Sequence, residues 1–181
     1  MRSLVAFALA TAALLAVAAA ASGGVEPRTL VLRPGDVPAG FRLDGAESGV
    51  RSNAREAKAG VEAARIIARS GRVTGYRNVF AHRSSSIESR ADLCRTPAGA
   101  VALLDWFVLE MRESGIRGLK RSRVSVGGEG YVYWGAEPNA LTLVTWRHGR
   151  VWAGVVVLGL AKVRAIALAR VQERRIEAVI G

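Results

Sequence analysis

Cysteine and histidine are scarce in this 181-residue chain, which has one cysteine and two histidines. A single cysteine excludes a disulfide within the chain, so we predict that Cys94 is a buried structural thiol; an intermolecular disulfide or a reactive thiol is the alternative. His82, His148 and Cys94 do not have the spacing of a zinc site, and no Asp-rich calcium loop occurs. The sequence therefore predicts neither a metal nor a cofactor.

The motifs of common hydrolases and nucleotide-binding enzymes are also missing. There is no Gly-x-Ser-x-Gly elbow, and Gly128–Gly130 lacks the third glycine and the following helix of a dinucleotide-binding loop. Asp105 lies within a predicted helix and would be a functional candidate if its side of that helix were buried. His82 and Cys94 lie at unequal distances from the turn of a predicted hairpin, so we do not expect them to face each other. We predict that the protein is not an enzyme; an enzyme of unknown class is the alternative.

The N-terminus carries a long apolar run with the pattern of a signal peptide. Arg2 precedes the apolar stretch Leu4–Val17, and small residues follow it. We predict a signal peptide over residues 1–21 and a single exported domain over residues 22–181, which makes the protein secreted or extracytoplasmic; an uncleaved membrane anchor is the alternative. The apolar run Val151–Ala161 is about half the length that a membrane span needs, so we expect no span in the mature chain.

Hydrophobic periodicity and turn signals predict an α+β fold. Thr96 and Pro97 mark the start of the strongest helix, and Asn53 with Glu56 resembles a capping box at the start of an earlier one. We expect an antiparallel sheet of about five strands with the helices packed mainly on one face. The predicted elements are helices over 53–71, 97–115 and 161–181, hairpins over 72–94 and 140–159, and a glycine-interrupted strand over 121–135.

The second hairpin is apolar on both of its faces. If His148 and Gly149 form a two-residue turn, Trp146 pairs with Val151. Val144, Trp146 and Val155 then share one face, and Trp152 lies on the other. A strand pair that is apolar on both sides is expected in the centre of a sheet, covered on both faces.

Aromatic residues near the strongest helix indicate a ligand groove. We predict that Trp106, Phe107, Tyr131 and Tyr133 line a groove between the sheet and the helix over Leu103–Met111. The favoured function is an exported non-enzymatic module that binds a small apolar ligand or a component of the cell envelope. The identity of this partner, and whether a protein partner exists, stay open.

Positive charge supports an alternative function. The formal net charge is +11, and arginine supplies most of the cations. We predict an anion-binding patch at Arg117, Lys120, Arg121 and Arg123. Such a patch would attract anionic envelope polymers or nucleic acid. The opposing interpretation is a dispersed and solvated set of arginines, because the charge is spread along the chain.

Several short segments occur in an order that resembles the order found in a group of bacterial proteins. These segments are the Asp-Val-Pro-x-Gly-Phe motif at 36–41, GYRNVF at 75–80, VSVGGEGYVY at 124–133 and WRHGRVWAGV at 146–155. Across most of the mature chain they resemble uncharacterised exported α+β proteins of high-GC Gram-positive bacteria. The layout is also similar, more distantly, to extracytoplasmic sensor and lipoprotein domains. The resemblance implies an exported α+β domain and adds support for a binding role, but no site residue.

Overall fold

The structure is a computed structural model and describes residues 24–135 and 141–181. The predicted signal peptide lies outside the described residues, and so do residues 136–140, which include the first residue of the hairpin predicted over 140–159. The strands are β1 (Arg42–Leu43), β2 (Gly49–Arg51), β3 (Arg72–His82), β4 (Ser85–Cys94), β5 (Lys120–Arg123), β6 (Glu129–Trp134), β7 (Thr142–His148) and β8 (Val151–Leu158). The α-helices are α1 (Asn53–Glu56), α2 (Val61–Ser70), α3 (Pro97–Glu113) and α4 (Lys162–Ile180), and short 3-10 helices span Pro27–Leu30, Pro34–Asp36 and Ala57–Ala59.

All described strands belong to one antiparallel sheet. Its order is β1-β3-β4-β8-β7-β6-β5, and β2 pairs with β3 beside β1. The α+β class is therefore correct, but the sheet has 8 strands and not about five. Two differences explain the count. The loop at Gly127 and Gly128 separates β5 from β6, which the sequence had suggested as one interrupted strand, and the short β1 and β2 lie before residue 53, where no strand was predicted.

Helices cover both faces of the sheet, which corrects the expectation that they pack mainly on one. Helix α4 packs on the face that carries Trp146 and Val155, called here the α4 face. Helices α2 and α3 pack on the opposite face, which carries Trp152 and Cys94 and is called the α3 face. The central strands β7 and β8 are apolar on both sides, so each face needs a covering layer. No helix of the described residues is both long and apolar enough to cross a membrane.

The hairpin β7–β8 has the predicted faces but a different register. Gly149 and Arg150 form the turn, so His148 pairs with Val151 and Trp146 pairs with Ala153. The prediction had paired Trp146 with Val151. The register differs by two residues, and a shift of two leaves every side chain on the same face.

Helix α3 begins where the sequence predicted. The Thr96 hydroxyl accepts a hydrogen bond from the Gly99 backbone nitrogen at 3.2 Å, and Pro97 is the first helical residue. A Cβ on Gly99 would lie 2.0 Å from the carbonyl oxygen of Ser70. Glycine is therefore required where the start of α3 crosses the end of α2. The helix ends at Glu113, slightly before the predicted end.

The predicted helix over 53–71 is broken in two. Gly60 has a φ of 137°, which separates α1 and the following 3-10 turn from α2. Ser52 caps α1 by accepting a hydrogen bond from the Arg55 backbone nitrogen, and Asn53 is the first helical residue. The suggested capping box of Asn53 and Glu56 is therefore wrong. Both side chains instead reach residues of the sheet.

A buried polar network joins the N-terminal segment to α4. The Leu32 backbone nitrogen donates to Ser89 Oγ at 2.9 Å, and Ser89 Oγ donates to Gln172 Oε1 at 2.7 Å. Gln172 Nε2 donates to the Arg90 carbonyl at 2.9 Å, and Asn78 Nδ2 donates to the Leu32 carbonyl at 2.9 Å. Each polar group in this otherwise apolar core thus has a partner.

The inner side of α4 carries a carboxylate beside its apolar residues. Ala165 and Ile176 are buried in the core, whereas Val179, near the end of the helix, is 42% exposed. The side chain of Glu173 is only 14% exposed. It accepts a hydrogen bond from Trp146 Nε1 at 2.6 Å and lies 2.7 Å from His148 Nδ1.

Candidate functional site

The four aromatic residues of the predicted groove all belong to the α3 side of the molecule, but they do not line one groove. Trp106 and Phe107 line a cavity between α3 and the centre of the sheet. Tyr133 lines a separate cleft near the end of α3. Tyr131 lines neither of these two spaces, and its hydroxyl donates to Glu129 Oε1 at 2.8 Å. The four side chains therefore share one side of the sheet but belong to different spaces.

The cavity has a volume of about 180 Å³ and lies between helices α1 to α3 and strands β4 and β8. Its upper wall is apolar and consists of Ile66, Leu103, Trp106 and Phe107. Trp152 of β8 faces them from the sheet, with its ring centroid 5.4 Å from that of Phe107. Three aromatic rings therefore surround a space large enough for a small molecule.

The floor of the cavity is charged. Asp92 is buried and accepts hydrogen bonds from Arg72 Nη2 at 2.9 Å and from Arg90 Nη2 at 2.7 Å. Arg90 Nη2 also donates to Glu56 Oε2 at 2.7 Å, and Arg51 Nε lies 2.6 Å from Glu56 Oε1. We call these five residues the charged cluster. It contains three guanidinium groups and two carboxylates, which leaves one positive charge in excess.

The pKa values within the charged cluster reflect this balance. Burial would raise the pKa of Asp92, but the positive charges of Arg90 and Arg72 outweigh burial and lower it below 3.8. Burial would lower the pKa of Arg90, but Asp92 and Glu56 raise it. Burial lowers the pKa of Arg51, and nearby guanidinium groups add to this effect against the attraction of Glu56.

Three hydrogen-bond donors at the cavity have no acceptor among the described residues, and one of them, Arg72 Nε, belongs to a side chain that is only 1% exposed. The indole nitrogen of Trp152 is buried and unpaired. Arg90 uses Nε and Nη2 for Asp92 and Glu56, and no hydrogen bond of its Nη1 occurs within the described residues. The Arg90 guanidinium carbon lies 5.4 Å from the centroid of the Trp152 ring, so the two side chains adjoin. A group with oxygen acceptors could bond to both.

Sequence reasoning missed Trp152 as a site residue and all of the charged cluster. One signal was available for part of it. Arg90, Asp92 and Cys94 alternate along β4 and share a face. Charges of both signs on one face of a strand, beside a cysteine, indicate a paired ionic site. Nothing in the local pattern indicates that Glu56 would join them.

The cleft near the end of α3 is larger, about 550 Å³, and more open to solvent. Its lining includes Asp105, Arg112 and Arg121 beside Tyr133. Asp105 is exposed, so the condition under which it would become a functional candidate is not met. The pKa of the buried Tyr133 hydroxyl is raised, mainly by burial.

Cys94 is buried beneath α3, in agreement with the predicted structural thiol. Burial, assisted by the negative charge of Asp92, raises its pKa to about 12. In the hairpin β3–β4, Cys94 pairs with Arg72 and His82 pairs with Ser85, so the cysteine and the histidine are not opposite each other, as predicted. Among residues 24–135 and 141–181, no three His, Cys, Asp or Glu side chains lie close enough to hold a metal ion.

The predicted anion-binding patch lies at the edge of the sheet and divides between its two faces. Lys120, Arg121 and Arg123 belong to β5, the outermost strand, and all three are exposed. Arg121 and Arg123 pair with Tyr133 and Tyr131 on the α3 face, whereas Lys120 alternates to the other face. Arg117 lies in the exposed loop before β5. No salt bridge found in the described part of the chain involves these four residues.

Comparisons with known proteins give a fold but no family. No family profile and no curated protein matches the chain. One solved structure, the extracellular domain of PknH from Mycobacterium tuberculosis, is similar, with a TM-score of 0.56 over 86% of this chain and 96% of that chain. The sequences are 10% identical, so the similarity concerns the fold alone. This chain therefore shares its α+β fold with an extracellular domain.

Proposed function

We propose that this protein is an exported, non-enzymatic module that binds a small apolar molecule or a component of the cell envelope, with the cavity beneath α3 as its site. The cavity carries the proposal, because three aromatic side chains enclose a space whose floor holds a few fixed polar groups. Ligand sites in proteins commonly have this composition. The signal-peptide pattern at residues 1–21 and the fold shared with an extracellular domain support export.

The size of the cavity favours a compact ligand. An apolar cavity of about 150 Å³ is sufficient to hold a benzene ring, and this one has about 180 Å³. The larger cleft near the end of α3 is open, and the charged side chains of Asp105, Arg112 and Arg121 line it. We therefore place the ligand among the aromatic rings of the smaller cavity.

The titration of the cavity residues supports binding over catalysis. A general acid or base works best when its pKa is close to the working pH. Among the cavity residues, the pKa of Asp92 is shifted down and that of Arg90 is shifted up, each away from neutral pH. These groups keep one protonation state near neutral pH, so they are suited to orient a ligand and not to transfer its protons.

The test fills the cavity from α2. Ala63 lines the cavity, and the adjacent Ala64 is exposed, so Ala63→Phe and Ala64→Phe place the same ring inside and outside it. Binding of fluorobenzene is measured by fluorine NMR. We expect saturable binding by the wild-type protein and by Ala64→Phe, and loss of binding in Ala63→Phe. Equal binding by all three proteins would exclude this cavity as the site.

The basic edge strand supports a second candidate function, an attachment to anionic envelope polymers or nucleic acid. Arg121 and Arg123 project from an exposed edge on the same face as Tyr131, and the Arg121 guanidinium lies 5.4 Å from the Tyr131 ring centroid. Binding of this kind weakens steeply with salt because counterions are released. Replacement of both arginines by glutamine should weaken binding to an oligothymidylate and reduce its dependence on salt. Unchanged binding would exclude the edge strand.

A further inference from the structure

We infer that the cavity beneath α3 takes a small monocarboxylic acid, whose ring or compact apolar body lies among Trp106, Phe107 and Trp152 and whose carboxylate meets Arg90. This inference rests on the proposed function and specifies its ligand class. Three observations carry it: the charge of the floor, the unused donors and the size of the apolar space.

The charged cluster has an uncompensated positive charge. Arg72, Arg90, Asp92 and Glu56 line the cavity and balance one another, and the excess comes from Arg51, which pairs with Glu56 without lining the cavity. The positive excess remains one charge when the neighbouring charged residues are included. These neighbours are Arg55, Arg77, Glu47 and Glu88, so the total becomes five guanidinium groups and four carboxylates. A partly buried excess charge is costly without a counterion, and one monoanion restores neutrality.

The unused donors lie where such an anion would bind. Arg90 is the member of the pair Arg72 and Arg90 that keeps some exposure, since its side chain is 21% exposed and that of Arg72 is 1% exposed. Its Nη1 and the Trp152 indole nitrogen have no acceptor among the described residues, and their side chains adjoin. Arg72 Nε of the lining is also unpaired, but it belongs to a side chain with almost no exposure. A carboxylate has two oxygens with about four acceptor sites, and an arginine pairs with it in a planar, directional geometry.

The size and polarity of the remaining space define the rest of the ligand. Beyond Arg90, the walls are provided by side chains such as Ile66, Leu103 and Phe107, which offer no polar group. A volume of about 180 Å³ accommodates a benzene-sized body with little more. A phosphate would bring up to two negative charges and would exchange the positive excess for a negative one. The monocarboxylate matches both the charge and the walls.

The experiment compares benzoate with benzyl alcohol, which has the same ring and no charge. The indole N–H signals of the four tryptophans are followed by nitrogen–proton NMR at neutral pH, and Trp152→Phe identifies the signal of Trp152. We expect benzoate to shift this signal saturably and to bind at least about tenfold more tightly than benzyl alcohol. Arg90→Gln should remove the preference for benzoate, and Arg164→Gln, an exposed position on α4, should retain it.

A second variant keeps the test valid if Arg90→Gln does not fold. Glu56→Gln removes one carboxylate of the charged cluster and raises its positive excess, so the preference for benzoate should increase by several-fold. A preference that stays the same or decreases in Glu56→Gln overturns the inference.

The failures of the two proposals are distinguishable. If benzyl alcohol and benzoate bind equally, the cavity binds apolar molecules but the carboxylate inference is wrong. If neither compound shifts the Trp152 signal, the carboxylate inference and the proposed site are both wrong.

Discussion

Removal of the negative charge of Asp92 should be among the most destabilising single substitutions in this protein. Asp92 is 2% exposed and accepts three hydrogen bonds, from Arg72 Nη2 at 2.9 Å and from Arg90 Nε and Nη2 at 3.2 and 2.7 Å. Asp92→Asn keeps the shape of the side chain. It removes the charge and directs an amide N–H₂ group towards guanidinium donors, which cannot accept a hydrogen bond.

The expected loss can be stated from the energetics of buried ion pairs. Breaking such a pair at one partner costs about 3–5 kcal/mol, because the remaining charge stays buried without compensation. Here two guanidinium groups lose their shared partner, so we expect a value in that range. Since domains of this size are stable by about 5–15 kcal/mol, the variant should lose a substantial part of its free energy of unfolding.

Urea denaturation followed by tryptophan fluorescence measures this loss. With a slope of about 2 kcal/mol per M, the midpoint should fall by roughly 1.5–2.5 M. Asp105→Asn, at an exposed position on α3, is the matched control and should change the stability by no more than about 0.5 kcal/mol. A loss below about 1 kcal/mol for Asp92→Asn would refute the argument that the charged cluster is held together by this carboxylate.

The free energies of unfolding of the wild type and Asp92→Asn should also depend differently on pH. The folded-state pKa of Asp92 is lower than 3.8, so the stabilisation from its charge is fully present above that pH and disappears as the pH falls through the folded value. The difference in free energy of unfolding between the wild type and Asp92→Asn should therefore be constant near neutral pH and shrink in acid. A difference that grows as the pH falls would contradict the sign of the shift.

Three further predictions concern buried residues. Gln172→Ala should cost about 2–4 kcal/mol in urea denaturation, because it leaves a cavity and unpaired polar groups in the core. Gly99→Ala should cost at least about 1–3 kcal/mol, since its Cβ would meet the Ser70 carbonyl, whereas Gly35→Ala, which meets nothing within 4 Å, should have little effect; equal effects would refute the crossing geometry. Cys94, with a pKa of about 12, should not react with a disulfide reagent at pH 8 until urea unfolds the protein, and rapid reaction of the native protein would show that the thiol is accessible.

Sequence signals correctly predicted those helices and strands whose structure depends on residues close together in the chain. Thr96 and Pro97 specify the start of α3 through a cap and a fixed φ, and both signals act within one turn. The alternation of β7 and β8 specified their faces even though the turn residues were misplaced, because face assignment depends on a period of two and tolerates a two-residue shift.

The remaining features depend on contacts between distant segments. The sequence indicated that β7 and β8 are covered on both sides, but not which helix covers which face; that choice is made by the packing of α4 against Trp146 and of α3 against Trp152. The charged cluster is similar. The local pattern around Glu56 suggested a helix cap, whereas its side chain pairs with Arg90, which is 34 positions later in the sequence.

The network of Leu32, Ser89 and Gln172 has a consequence for how the chain acquires its structure. Its hydrogen bonds join residues 57 and 83 positions apart, and they connect a segment near the beginning of the chain to its final helix. Contacts of such long range form slowly and late. During synthesis, Leu32 can meet Asn78 and Ser89 first, and the bond from Ser89 to Gln172 forms only after α4 has been translated. The polar network is therefore incomplete in any shorter nascent chain, and this suits a protein that, as we propose, is exported before it folds.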